Sequence, residues 1–376
     1  MHRTILYNTY FSKRSLAANM FHVTSAQLAQ PEFYVASPHG AGLQSFLYYL
    51  RLMGIPSTYW WDQEKSFAAI RRQHSVCGFT IDCRLSVGEH DPFQQYLSAH
   101  RPLFGLSRDP VNIIVTILNM QLGDALIEGA RTNSIERVAA QWHEKLSTID
   151  SYKPVIHGKY YFPYRAIMRR VQNPDACYII DTSDLLPDDV IKTMSDVYYR
   201  ITGTQYCNIE HLSEIMRRSY NNFQNRAWSR FINDFTISVN NVPVKVMLTP
   251  APVADFHLPF HGCTQFHAFR YNNEDYVMGL LINPAGQNIA QEFYAHYAKQ
   301  IECFVDTGKR TVATATQYFE QLRITVDDII QLFQQNKDKV AGLIKMQQAT
   351  RRYFQNELHH HADWKCFDRL CQKMDE

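Results

Sequence analysis

Apolar residues fall along this chain in short runs that stop at polar turns, and most of these runs lead into a helical pattern. Phe33-Tyr34-Val35-Ala36 is an apolar run that ends at Ser37-Pro38, where a small-residue turn over 37–42 leads into a helical pattern over 43–53. Gly54 with trailing Pro56 gives that helix a glycine stop. A second run, 77–83, predicts a strand, and 92–100 a short helix. Leu103–Ser107 repeats the strand pattern and is followed by Asp109-Pro110, an N-cap with proline in the first turn, ahead of a helix over 111–128. Positions 135–146 form an amphipathic helix, and 160–171 is a further helix candidate. Cys177–Asp181 is a strand and 188–201 a helix. Strands alternating with helices predict a parallel sheet covered on both faces, an α/β fold.

The texture changes near residue 230. The stretch 235–248 alternates around Asn240-Asn241 and predicts a β-hairpin. The runs 263–271 and 276–282, joined by Asn272-Asn273-Glu274-Asp275, predict a second one. Helical patterns follow over 289–303, 311–322 and 326–358, the last with a break. The expected organisation is an N-terminal arm over 1–30, an α/β core over 31–230, a β-hairpin insertion over 231–284 and a helical C-terminal part over 285–376.

Composition narrows the partners. The 376 residues carry 38 basic and 36 acidic side chains, a formal charge of +2, so bulk electrostatics give no case for nucleic acid or an anionic membrane. The eight cysteines include no C-x-x-C pair and sit mostly in apolar segments, the usage of a reducing compartment. The N-terminus has no long apolar stretch of a secretory signal, and no membrane-spanning segment is expected, so the expected location is cytoplasmic. His257, His261, Cys263 and His267 offer metal-ligand types, but their spacing fits no standard zinc site and no metal is expected. His359-His360-His361 reads as a helix terminus. Nothing in the sequence fixes the oligomeric state.

Two strand–turn–helix units carry the candidate chemistry. In the first, Ser37, His39, Gly40, Gly42 and Gln44 surround a turn whose backbone N–H groups and following helix N-terminus suit a phosphate. In the second, Arg108 ends a strand where its guanidinium could fork onto a phosphate, and Thr116 lies about two turns into the next helix. This pair, with Pro110 between Arg108 and Thr116, resembles the sulfotransferase superfamily. The strand end Asp181-Thr182-Ser183-Asp184-Leu185, followed by a helix leading to Gly203, resembles that family's third landmark, and the likeness spans roughly residues 30 to 205.

The resemblance implies a sulfotransferase-like fold. It implies a donor, 3′-phosphoadenosine-5′-phosphosulfate, whose 3′-phosphate would sit on Arg108 and Thr116 and whose 5′-phosphate would sit on the 37–44 loop. It also implies a hydroxyl-bearing acceptor, carbohydrate being one class, and a base for the acceptor proton after the 77–83 strand. His90 is the first candidate there, then Glu89, with Asp82 less favoured. Ala362-Asp363-Trp364-Lys365 resembles the Gly-Asp-Trp-Lys that closes over the 3′-phosphate in the cytosolic members. One departure keeps a second reading open: the family's first loop carries a basic residue, whereas 37–45 contains neither Lys nor Arg. A chain lacking it could bind a nucleotide, glycan or protein without catalysis.

Overall fold

The computed structural model describes residues 32–38, 40–55, 78–82, 100–146, 148–152, 164, 168–169, 171, 174–208, 234–239, 242–250, 265–270, 277–282, 306–308 and 310–376. Four parallel strands form one sheet: β1 (Phe33–Ser37), β2 (Gly78–Asp82), β3 (Leu103–Ser107) and β4 (Cys177–Asp181), in the order β2-β1-β3-β4. Helix α1 (Leu43–Leu52) follows β1. Helices α2 (Pro110–Arg131) and α3 (Ile135–Leu146) lie between β3 and β4, and α4 (Val190–Thr202) follows β4. The chain therefore forms an α/β fold. The expected strands over 33–36, 103–107 and 177–181 share one parallel sheet, with Tyr34 paired to Leu103 and Leu103 to Cys177.

Period-two alternation places the strand residues on two faces. Phe33, Val35, Phe104, Leu106 and Ile180 pack with Phe46, Leu47 and Leu50 of α1 and with Val190, Met194 and Val197 of α4. Tyr34, Ala36 and Leu103 pack on the other side against Ile113, Ile114 and Ile117 of α2. That second layer also contains the C-terminal helices α6 (Val326–Gln334), α7 (Lys337–Glu357) and α8 (Lys365–Asp375), through Ile329, Phe333, Phe354, Trp364 and Phe367. Each fully buried ring or large aliphatic side chain contributes on the order of 1.5–3 kcal/mol. Gly105 is needed for this packing, because a Cβ there would stand 2.8 Å from both Ile179 Cδ1 and Met168 Cε.

Helix α2 spans 22 residues and is long and apolar enough to cross a membrane by length and composition alone. Here Ile113, Ile114, Ile117, Leu118, Leu122 and Leu126 of that helix are buried within the protein.

Helix α5 (310–322) matches the expected 311–322. The break expected within 326–358 falls at Gln335-Asn336, between α6 and α7. The sequence reading omitted α8, although Cys366, Phe367, Leu370, Cys371 and Met374 recur at helical spacing. The two hairpins appear as β5 (Asp234–Val239) with β6 (Val242–Pro250) and β7 (Gln265–Arg270) with β8 (Val277–Ile282). They do not stand apart: β6 pairs antiparallel with β8, giving one four-stranded sheet in the order β5-β6-β8-β7. The expected helices over 92–100 and 289–303 lie outside the described residues apart from His100. Most of 160–171 does too.

Candidate functional site

The parallel sheet has a switch point. From β1 the chain moves to β2 on one side, and then crosses to β3 on the other, so the loops after β1 and β3 diverge. In open α/β sheets the crevice outside the strand carboxyl ends at such a point is the usual ligand site. Both candidate loops lie there, after β1 and β3.

The first loop is built on glycine. Gly40 and Gly42 have φ of 85° and 80°, backbone that an L side chain rarely adopts. A Cβ on Gly42 would come within 3.0 Å of Thr182 Cγ2. The Gly42 carbonyl accepts from Phe46 N–H at 3.0 Å, opening α1, whose first turn contains no acidic residue. The positive end of that helix is therefore not neutralised by its own side chains.

The second loop is tied to the first. Arg108 Nη1 donates to the Gly40 carbonyl at 2.8 Å. Thr182, the residue after β4, places its hydroxyl 3.1 Å from the Ala41 carbonyl and 2.9 Å from that of Ser107. Tyr164 is buried and grips the Arg108 backbone: its hydroxyl accepts from Arg108 N–H at 3.0 Å and lies 3.4 Å from the Arg108 carbonyl. Burial pushes the Tyr164 phenol far above its ordinary range, so it stays protonated. Trp364, 1% exposed, donates its indole N–H to Ser107 Oγ at 3.3 Å. The Ala362–Lys365 segment thus sits beside the end of β3, next to Arg108.

Asp109 has a different role from a phosphate ligand. Its Oδ1 accepts from Val111 N–H at 2.9 Å and Asn112 N–H at 3.4 Å, capping α2. Its Oδ2 accepts from Cys366 N–H at 2.8 Å and Phe367 N–H at 3.1 Å, in the first turn of α8. One carboxylate thus caps two helices more than 250 residues apart in the chain. Burial pushes its pKa up, while the backbone donors, Phe367 first, pull it back. A negative group already fills the α2 N-terminus, so an added phosphate is better served by α1.

At the end of β4, Asp181 Oδ2 lies 3.0 Å from His360 Nε2, and Asp181 N–H donates to Asp184 Oδ2 at 3.2 Å. Beside them a cavity of about 440 Å³ runs along β4, between α4 and the end of α7.

The sequence-predicted site residues separate as follows. Ser37 is buried and its hydroxyl donates to the Pro38 carbonyl at 2.9 Å. Gly40, Gly42 and Arg108 come together. Thr116 is half-buried in α2 and makes no side-chain hydrogen bond among the described residues. His39, Glu89 and His90 lie outside the described residues, as does the Gln44 side chain, and so do His257, His261 and Cys263. Among the described residues no group of three or more His, Cys, Asp or Glu could hold a metal ion. Sequence reasoning missed the roles of Tyr164, Asp181, Thr182 and His360. Asp181-Thr182 was visible as a strand end, but nothing local marked His360 as its partner 179 residues away.

Compared with protein-family models, curated proteins and solved structures, the chain matches none.

Proposed function

We propose that the chain is a sulfotransferase-like α/β protein. It takes 3′-phosphoadenosine-5′-phosphosulfate as donor substrate at the carboxyl edge between β1 and β3, and passes the sulfuryl group to a hydroxyl acceptor, with carbohydrate as one expected class. The observation that carries this reading is the Arg108–Gly40 hydrogen bond, which joins the two phosphate-type loops at the switch point. Arg108 supplies the fixed charge, and the α1 N-terminus, opened by Gly42, supplies backbone donors. Charge-assisted bonds of this kind are worth roughly 1.5–3 kcal/mol each. Trp364 beside Ser107 supports the likeness of the 362–365 segment to one that closes over a nucleotide.

A second reading, a non-catalytic module of the same architecture that binds a nucleotide, glycan or protein, is favoured by two observations. The 37–45 loop has no Lys or Arg to stabilise charge on the leaving oxygen, and Asp109 already occupies the α2 N-terminus. Both readings that retain the nucleotide are tested by thermal unfolding with adenosine 3′,5′-bisphosphate. Ligand at 100 times its Kd should stabilise the fold by about 2.7 kcal/mol. Adenosine alone, lacking both phosphates, should raise Tm much less. Equal effects of the two, or none at millimolar bisphosphate, would sink the proposal. Sulfate transfer to an acceptor would then separate the catalytic reading from the silent one.

A further inference from the structure

The nucleotide reading uses the carboxyl ends of the strands and leaves the side of the parallel sheet untouched. We infer that the free edge of β4 is a docking site for an extended segment of a partner protein. The segment adds to the sheet as a further strand and carries apolar residues alternating with polar ones, one of them acidic. This goes beyond the nucleotide reading and does not depend on it.

β4 is the last strand in the order β2-β1-β3-β4, so among the described residues one side of it has no strand beside it. The pairing with β3 decides which groups point that way. Leu103 N–H donates to the Ala176 carbonyl at 2.8 Å, in a register that sets Leu103 opposite Cys177. With that phase the backbone groups of Tyr178 and Ile180 turn to β3, and those of Cys177, Ile179 and Asp181 turn away. Asp181 N–H is already taken, donating to Asp184 Oδ2 at 3.2 Å. The N–H and C=O groups of Cys177 and Ile179 have no hydrogen-bond partner among the described residues. A row of such groups is a template for another strand.

The cavity of about 440 Å³ lies along this edge: Cys177, Tyr178, Ile179 and Ile180 line it in succession. Its walls come from the two faces of the sheet. Lys192, Thr193, Val197 and Arg200 of α4 stand on one side, with Leu358 and His359, at the end of α7, on the other. The edge is therefore recessed. A second copy would bring its own walls against these and could not lay its β4 alongside, whereas a single extended chain enters. In strand addition of this kind main-chain bonds give affinity, and side chains on alternate sides give selectivity. Residues of the incoming strand beside Cys177 and Ile179 face the wall of Leu358, where all three side chains are half-buried on the apolar core, a setting for apolar partners. Residues beside Tyr178 and Ile180 face α4. The acids of that wall are engaged, Asp196 by Arg200 at 2.6 Å and Asp184 by the Asp181 N–H, whereas exposed Lys192 has no ion-pair partner among the described residues. An acidic side chain on that face complements it.

The test uses the full chain without nucleotide, and two blocked, fluorescently labelled peptides, Val-Glu-Val-Thr-Val and Val-Lys-Val-Thr-Val. Anisotropy should show saturable binding of the glutamate peptide below about 1 mM, the weak end of measurable affinity. The lysine peptide should bind roughly 3–10-fold more weakly, and Lys192→Glu, at an exposed position, should reverse the order. Hydrogen exchange resolved to single amides reads the pairing itself. With peptide at 100 times its Kd, the Cys177 and Ile179 amides should slow by about 100-fold, and those of Tyr178 and Ile180, already bonded to β3, should change little. Thr193→Trp, which fills the cavity from α4, should abolish binding, and an unchanged urea midpoint shows that the variant is folded. No saturable binding of either peptide, or binding without new protection at Cys177 and Ile179, would overturn the inference. So would equal binding of the two peptides, or binding that survives Thr193→Trp. If the protein is a dimer in gel filtration and its Cys177 and Ile179 amides are protected without peptide, a second copy holds the edge and the inference fails.

Discussion

Asp109→Ala should be among the most destabilising polar substitutions in this chain. The side chain accepts four backbone N–H groups, two opening α2 and two opening α8, at 2.8–3.4 Å. Loss of an ordinary N-cap costs about 0.5–2 kcal/mol. At α8 no alternative exists among the described residues, since its own cap position, Trp364, provides no side-chain acceptor. Losing a charged acceptor for those two donors costs about 1.5–3 kcal/mol. Burial of the carboxyl, which pushes its pKa up, opposes part of the gain, so about 3 kcal/mol is expected in total. Asp109→Asn keeps one oxygen but turns an amide NH₂ toward one pair of donors, and should lose roughly half as much. Urea unfolding reads the change as a lower midpoint at constant slope. Hydrogen exchange at the Cys366 and Phe367 amides localises it to the α8 end. A shift below about 0.5 kcal/mol for Asp109→Ala, the size of an ordinary surface change, would refute the reasoning. So would unchanged protection of the α8 amides.

Other expectations follow from neighbouring geometry. Gly42→Ala should cost about 1–3 kcal/mol, because φ is 80° and the new Cβ would press on Thr182, and it should also weaken bisphosphate binding by displacing the start of α1. Tyr164→Phe removes the hydroxyl that grips the Arg108 backbone, and should cost about 1 kcal/mol by chemical denaturation. Exposed Cys207 should react with a thiol reagent at neutral pH, whereas half-buried Cys177, its pKa pushed up to about 12 by burial, should react much more slowly until the protein unfolds; mass spectrometry of labelled peptides distinguishes them. Cys177 and Tyr152 both have folded pKa values of about 12, raised from ordinary values of 9.0 and 10.0. Acids raised in this way favour the fold while they hold their protons, so their contribution is lost as pH climbs from the ordinary values toward 12. The urea midpoint should therefore fall across that window.

Much of the parallel sheet was legible because its signals are local. Leu103–Ser107 and Cys177–Asp181 are apolar runs bounded by polar turns, and Asp109-Pro110 marks a helix start without reference to any other segment. The two-hairpin pattern was equally local, but the pairing of β6 with β8 was not, since the alternation in each hairpin is satisfied whichever strand joins the other. Helix α8 carried a readable stripe of Phe367, Leu370, Cys371 and Met374, obscured by the polar residues between them. The site divides along the same line. Gly40, Gly42 and Arg108 announced themselves by residue type and position at strand ends. Asp109 was readable as the cap of α2, but its second role at α8 depends on a contact across more than 250 residues. The His360–Asp181 pair is of the same long-range kind: each residue alone looks like an ordinary helix end or strand end.

The claim that the crevice between β1 and β3 holds a nucleotide phosphate through Arg108 is tested most directly by calorimetric titration of adenosine 3′,5′-bisphosphate into the wild type, Arg108→Lys and Arg108→Ala. Saturable binding to the wild type is expected, with about 10–150-fold weaker binding by Arg108→Ala, the equivalent of roughly 1.5–3 kcal/mol. Arg108→Lys should fall between them, because a point charge cannot both reach the Gly40 carbonyl as the guanidinium does and fork onto the ligand. Absence of binding by the wild type, or equal affinity for wild type and Arg108→Ala, would contradict the account.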